Sequence, residues 1–160
     1  ADSTALTSAY ILEMWYGYLA ALADARINRD RVIAYIIPSV YKLLKEAAAI
    51  TRFIDAGTGI RNVDRNVGKL DGVRIVEVPA DLMKTAYVFT TGWVADANAK
   101  QINILFVDPD AIAAPVVYET SMVSAPTAQS KGKFLYYERY FYDVFVLNNR
   151  KAGVYINYTV

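Results

Sequence analysis

Cysteine and histidine are both absent from this 160-residue chain. Their absence excludes thiol nucleophiles, disulfides, imidazole acid–base catalysis and zinc sites built from these two residues. Any enzyme would have to work with carboxylates, lysine, tyrosine or hydroxyl groups. Lack of cysteine is also compatible with synthesis in a reducing compartment. The sequence carries no positive signal for catalysis, and we expect no enzyme, no cofactor and no metal.

Excess charge and long apolar runs are also missing. Seventeen basic against sixteen acidic residues leave a net charge of +1, which excludes the concentrated positive field of a dedicated nucleic-acid binder. Arg26, Arg29 and Arg31 are interleaved with Asp24 and Asp30, a pattern typical of solvated turns. The longest apolar candidate, 9–23, carries Glu13 and has no basic segment before it. The sequence therefore predicts neither a membrane span nor a signal peptide.

Two short motifs could carry chemistry. Gly57-Thr58-Gly59 is the only glycine-rich spot, but it follows a predicted helix and has no Gly-Lys-Ser/Thr continuation, so we interpret it as a turn. Asp108 and Asp110 could act as paired carboxylates toward a hard cation or in acid–base work. Because they flank a proline directly after an apolar strand, capping of a turn is the favoured interpretation.

The last third of the chain is its most distinctive part. Residues 133–147 (KFLYYERYFYDVFVL) contain no glycine or proline and are rich in aromatic and β-branched side chains, which predicts one long strand. Fifteen residues would span roughly 50 Å, whereas a compact 160-residue domain has a radius of gyration of about 15 Å. Apolar side chains occupy both faces of this strand. Both faces therefore need cover, from this chain or from neighbours.

The elements before it differ in kind. Residues 7–25 form a predicted helix that is apolar nearly all round, and Pro38 opens a second predicted helix to about residue 52. Short strands are predicted at 31–37, 60–63, 73–78, 102–107 and 154–158. Helices followed by strands without serial winding indicate an α+β fold. We expect a mostly α/β domain at 1–115 and a long-stranded sheet segment at 116–160.

Four aromatic residues are candidates for contacts between subunits, where aromatic side chains are enriched. The first helix is either sandwiched in a core or covered by a partner outside this chain, and the long strand has two apolar faces. The candidates are Trp15, Tyr18, Tyr137 and Tyr140. The alternative is that they are core residues, in which case charged substitutions would unfold the protein.

Four strings, taken in order, carry a resemblance to a known family: 36–55, 61–81, 99–119 and 136–158. They begin with IIPSVYKLLKEAAAITRFID and end with YYERYFYDVFVLNNRKAGVYINY. Together they resemble the C-terminal part of major capsid (major head) proteins of tailed phages and prophages, which have the HK97-like fold. The likeness covers roughly residues 31–158.

This resemblance implies a structural protein rather than an enzyme. It implies a shell subunit that self-assembles into hexameric and pentameric capsomers and encloses DNA without reading its sequence. Residues 1–115 would be mostly the axial domain, and 116–160 part of the peripheral sheet. The N-terminal arm, extended loop and spine helix of the family are missing here. Such a protein is made in the cytoplasm of the bacterial host and ends in the virion capsid.

Other functions stay open from the sequence. An encapsulin-type compartment shell would use the same contacts but enclose cargo instead of DNA. A small binding module could use its tyrosine-rich sheet for a ligand, and a carboxylate-dependent enzyme would need two close acids in a cleft.

Overall fold

A computed structural model describes residues 2–47, 67–90 and 92–159. The chain divides into two compact units. The central unit comprises residues 1–111 and 149–160, and the inserted hairpin comprises residues 112–148. Within the described residues, no helix has the length and apolar character needed to cross a membrane.

Two α-helices, eleven strands and four short 3-10 helices make up the regular structure of the described residues. The helices are α1 (Tyr10–Asp24) and α2 (Pro38–Glu46). The strands are β1 (Ile33–Ile36), β2 (Lys69–Leu70), β3 (Val73–Glu77), β4 (Tyr87–Val88), β5 (Val94–Ala95), β6 (Gln101–Val107), β7 (Ile112–Ala113), β8 (Val116–Ser124), β9 (Leu135–Tyr142), β10 (Phe145–Val146) and β11 (Val154–Thr159). The α+β prediction is confirmed.

Both helices begin and end for local reasons. The backbone N–H of Tyr10 donates to the Thr7 hydroxyl at 3.2 Å, and the chain leaves α1 through Arg26, whose φ of 57° cannot continue a helix. Pro38 occupies the first turn of α2, where its missing N–H costs nothing. Ala47 is extended, so α2 ends at Glu46 and not near residue 52 as predicted. The rest of that predicted helix, the turn at 57–59 and the strand at 60–63 lie outside the described residues.

A five-stranded sheet organises the central unit, in the order β11-β6-β1-β3-β2. Strands β1 and β3 are parallel, and the other neighbours are antiparallel. Strands β2 and β3 are joined by Asp71 and Gly72, which have φ of 49° and 96°. Two consecutive positive φ angles define the tight hairpin turn for which Asp-Gly is the preferred pair.

One face of this sheet carries the core. Ala34 and Ile36 of β1 lie opposite Phe106 and Ile104 of β6, and all four are fully buried. Helix α1 contributes the side chains at one-turn spacing that belong to the same core: Ile11, Met14, Trp15, Tyr18 and Leu22. Complete burial of a Phe or Ile side chain contributes about 1.5–3 kcal/mol. This face therefore fixes α1 against the sheet.

The last strand corrects the predicted domain division. β11 pairs with β6 from Val154 opposite Val107 to Thr159 opposite Gln101. It belongs to the central sheet, so the prediction of one sheet segment over 116–160 is wrong. Only residues 112–148 form a separate unit, inserted between two neighbouring strands.

Candidate subunit interface

The inserted hairpin is a two-stranded antiparallel ribbon. β8 pairs with β9 from Ser124 opposite Leu135 to Val116 opposite Tyr142, with an irregularity between Val116 and Tyr118. Closer to its ends, β7 pairs with β10. The turn beyond β8 is closed locally, because the hydroxyls of Thr127 and Ser130 each accept the other residue's backbone N–H.

The predicted fifteen-residue strand is interrupted. β9 ends at Tyr142, and the chain resumes as β10 only at Phe145. Between them the carboxylate of Asp143 accepts the backbone N–H of Val144 at 2.8 Å. A side chain that bonds to neighbouring backbone in this way competes with the strand ladder. The uninterrupted strand therefore has eight residues and spans roughly 26 Å.

Every side chain of β9 is exposed. Because side chains alternate along a strand, Leu135, Tyr137 and Phe141 share one face of the ribbon, while Tyr136, Tyr140 and Tyr142 share the other. Tyr137 is 45% exposed and Tyr140 48%, so these two candidates lie on opposite faces. A two-stranded hairpin is marginally stable alone in water, and a contiguous apolar surface of this kind marks an interaction site.

Each face of β9 carries a charged side chain that contacts an aromatic residue of the same face. The guanidinium of Arg139 lies 5.4 Å from the ring centre of Tyr137 and 5.7 Å from that of Phe141, within cation–π range. On the opposite face the hydroxyl of Tyr140 donates to the carboxylate of Glu138. Desolvation and, after it, the Glu138 carboxylate raise the pKa of Tyr136 above its ordinary value. Tyrosine is neutral at physiological pH even at its ordinary pKa, so this shift does not change the charge of the face there.

Trp15 and Tyr18 occupy a different environment. Trp15 is 0% and Tyr18 5% exposed, and both rings pack on Phe106, at centre distances of 4.9 Å and 4.2 Å. The Tyr18 hydroxyl donates to the carbonyl oxygen of Gly153 at 3.2 Å. This burial favours the first of the two interpretations of α1, a core helix, because the sheet of the same chain covers these side chains. The two side chains serve the core and present almost no surface to a neighbour.

A cluster of charged side chains joins distant parts of the central unit. Arg31 binds both carboxylate oxygens of Asp110, at 2.6 Å and 2.5 Å. Arg150 lies 3.3 Å from Asp110 and 3.6 Å from the buried carboxylate of Asp108. The backbone N–H of Asp110 donates to Asp108 at 3.2 Å, which confirms the capping interpretation of this motif. The arginine partners were missed because nothing in sequence spacing connects residues 31, 108 and 150.

Sequence reasoning also missed an aromatic cluster on the β4–β5 hairpin, since residues 87–91 gave no clear pattern. Tyr87, Phe89 and Trp93 form three mutual ring contacts, with centres 5.2–6.4 Å apart. Phe89 and Trp93 are 66% and 65% exposed. The sequence signal that could have revealed this cluster was the alternation of aromatic residues before and after Gly92. Across the described residues, no three acidic side chains come together in a group that could hold a metal ion.

Comparison with known proteins bears on the fold. No family model and no curated protein matches the sequence. Solved phage structures do match the fold. One is from Mycobacterium phage Che8, at 15% identity and a TM-score of 0.57, covering 98% of this chain and 51% of the other. A capsid structure of cyanophage P-SCSP1u matches at 13% identity and a TM-score of 0.62, covering 98% and 48%.

A third match is the asymmetric unit of the mature capsid of bacteriophage PhiM1, at 15% identity and a TM-score of 0.56, covering 92% of this chain and 45% of the other. The chain thus spans about half the length of these structures. At this identity, the likeness shows a shared α+β fold.

Proposed function

We propose that this protein is a structural subunit of a bacteriophage capsid shell. The observation that carries the proposal is the inserted hairpin, which exposes apolar and aromatic side chains on both faces of one ribbon. The shared fold with phage capsid structures supports it. In its finer form, the proposal is an HK97-like major head protein of a phage or prophage, with this chain corresponding to the C-terminal part.

The exposed area of the ribbon can be compared with the area that a protein interface buries. Its exposed large side chains include seven aromatic rings: Phe134, Tyr136, Tyr137, Tyr140, Phe141, Tyr142 and Phe145. A fully buried aromatic residue covers about 150–250 Å², so seven half-exposed rings offer roughly 700 Å². A standard protein interface buries about 800 Å² on each partner. Because these rings are divided between the two faces of the ribbon, each face offers roughly 350 Å², a little less than half of such a contact. The hairpin would therefore supply part of a contact on each face.

The rest of the proposed role is what the resemblance to capsid proteins implies. A net charge of +1 suits a shell that encloses DNA without binding its sequence. In this proposal the central unit takes the axial position around capsomer symmetry axes, and the hairpin belongs to the peripheral sheet. The subunits form hexamers and pentamers, and the assembled protein resides in the virion after synthesis in the host cytoplasm.

A small-molecule binding module receives less support from the cavities. A groove of about 360 Å³ lies beside α1, lined by Tyr10, Gly17 and Tyr155 among others. It belongs to the central unit and not to the tyrosine-rich hairpin, and it is open to solvent. The aromatic side chains of the hairpin are better placed for a flat partner surface than for an enclosed ligand.

Charged substitutions on the hairpin test the proposal. Tyr137→Asp and Tyr140→Asp, made separately in the complete gene product that carries this sequence, should abolish closed shells in negative-stain electron microscopy. Circular dichroism and melting should stay close to wild type, because both side chains are exposed. Tyr16→Asp is the matched control, since Tyr16 is 53% exposed on α1. A wild-type product that remains a monomer at every concentration and salt condition would refute the shell function.

A further inference from the structure

The β4–β5 hairpin carries the second exposed aromatic cluster of the described residues. It is preorganised by its own contacts. The Tyr87 hydroxyl accepts the backbone N–H of Lys84 at 2.9 Å and donates to the carbonyl oxygen of Asp81 at 3.0 Å. The rings of Phe89 and Trp93 stand edge to face at 5.2 Å. Because Tyr87 is fixed at its hydroxyl and contacts both other rings, little side-chain entropy remains to be lost on binding.

This cluster is poorly explained by folding. Phe89, Trp93 and Val94 are each more than half exposed, and Val88 is 38% exposed. The ten residues from Ala86 to Ala95 include no charged side chain. An uncharged aromatic surface has no complementarity to phosphate or to a charged peptide, whereas exposed aromatic anchors are the residues that dominate protein contacts.

The area of the cluster limits its partner. Two rings that are two-thirds exposed, with two exposed valines beside them, offer roughly 400 Å², about half of what each side of a standard interface buries. A contact of this size is too small to hold a separate protein tightly. A contact of this size becomes sufficient when it is repeated around a closed ring of subunits. Each subunit then contacts two neighbours, and the later contacts become intramolecular.

We infer that the aromatic cluster of Tyr87, Phe89 and Trp93 packs against a second copy of this chain, as a contact separate from the inserted hairpin. The inference rests on the proposed shell function. It predicts that the cluster contributes nothing measurable to the free subunit and becomes effective only in the assembly.

The test uses the complete gene product with Phe89→Ser and Trp93→Ser combined. The double variant should raise the subunit concentration needed for shell or capsomer formation by at least about tenfold, as expected for the loss of aromatic anchors. Its circular dichroism should match wild type. Tyr16→Ser is the control, because it removes an aromatic ring that is 53% exposed on α1 and should leave assembly unchanged.

A second measurement follows tryptophan fluorescence. Trp93 is 65% exposed, so the acrylamide quenching that is lost on Trp93→Phe reports on this residue in the complete gene product. Assembly should reduce this quenching and shift the emission to shorter wavelength.

Each outcome decides something. Wild-type shells with unchanged quenching, or shells of the double variant at wild-type concentrations, overturn the inference while leaving the proposed function intact. Absence of wild-type shells under all conditions overturns both. Association with a different protein while the double variant still assembles also overturns it, since the occupant would not be a second copy.

Discussion

Gly153 offers a sharp test of the packing in the central unit. A Cβ atom at this position would lie 2.7 Å from Cβ of Asp108 and 3.4 Å from Cβ of Ala111. Both neighbours are buried, and the first contact is closer than real Cβ atoms come to one another. Gly153→Ala therefore forces the Asp108 segment and the chain before β11 apart.

The magnitude follows from what that movement disturbs. Overpacking of a filled interior typically costs about 1–3 kcal/mol. The Gly153 carbonyl oxygen also accepts the N–H of Asp108 at 2.8 Å and the hydroxyl of Tyr18 at 3.2 Å, and weakening one such bond adds about 1 kcal/mol. We expect a loss of about 2–4 kcal/mol in the free energy of unfolding. For a chain of this size, that lowers Tm by about 5–15 °C.

Gly17→Ala is a control that should raise the free energy of unfolding instead of lowering it. Gly17 lies on the exposed side of α1 with nothing within 4 Å of an added Cβ. Gly17→Ala should therefore stabilise the chain by about 0.5–1 kcal/mol, since alanine loses less backbone entropy in a helix. Urea and thermal unfolding, followed by circular dichroism, measure both variants. Equal stability of Gly153→Ala and wild type would refute the close approach of residues 108 and 153.

Two further predictions concern the aromatic core. Burial raises the pKa of Tyr18, with a smaller contribution from the Asp108 carboxylate, so the folded state holds this proton more tightly than the unfolded chain. Stability from this group is complete below about pH 10, the value of an unperturbed tyrosine, and is lost as pH rises above it. Tyr18→Phe should therefore make alkaline unfolding shallower, and pH profiles identical to wild type would contradict the assignment. Trp15→Ala should lower the free energy of unfolding by about 3–5 kcal/mol because it empties a fully buried site. Trp93→Ala should change it by less than about 0.5 kcal/mol. Urea titrations measure both variants, and losses of similar size would contradict the placement of Trp15 in the core and Trp93 at the surface.

Local patterns in the sequence predicted most elements of the central unit. Apolar runs rich in β-branched residues marked β3 and β6, and Pro38 marked the start of α2. The same patterns did not reveal partners. Nothing in Val154–Thr159 indicates that it pairs with β6 across an insertion, because register depends on distant residues.

At the candidate interface, amino-acid composition alone does not distinguish core residues from exposed ones. Trp15 and Tyr137 both lie in apolar, aromatic segments, yet one is fully buried and the other is 45% exposed. A helix that is apolar nearly all round fits a core or a partner equally well, so only the position of the sheet decides. The interruption at Asp143 was hidden because one side-chain hydrogen bond ends the strand without a glycine or proline.

The insertion of residues 112–148 between β6 and β11 has a mechanical consequence. The segments that enter and leave the insertion meet at one end of the hydrogen-bonded pair β6 and β11. A force that pulls these two segments apart therefore breaks the hydrogen bonds between the strands one after another. Arg150, in the segment that leaves the insertion, forms ion pairs with Asp108 and Asp110 in the segment that enters it. These ion pairs hold the two segments together at the end where separation of the strands would start. A force along β6 and β11 together is instead shared by all hydrogen bonds between β6 and β1 at once. A sheet resists force best in this direction.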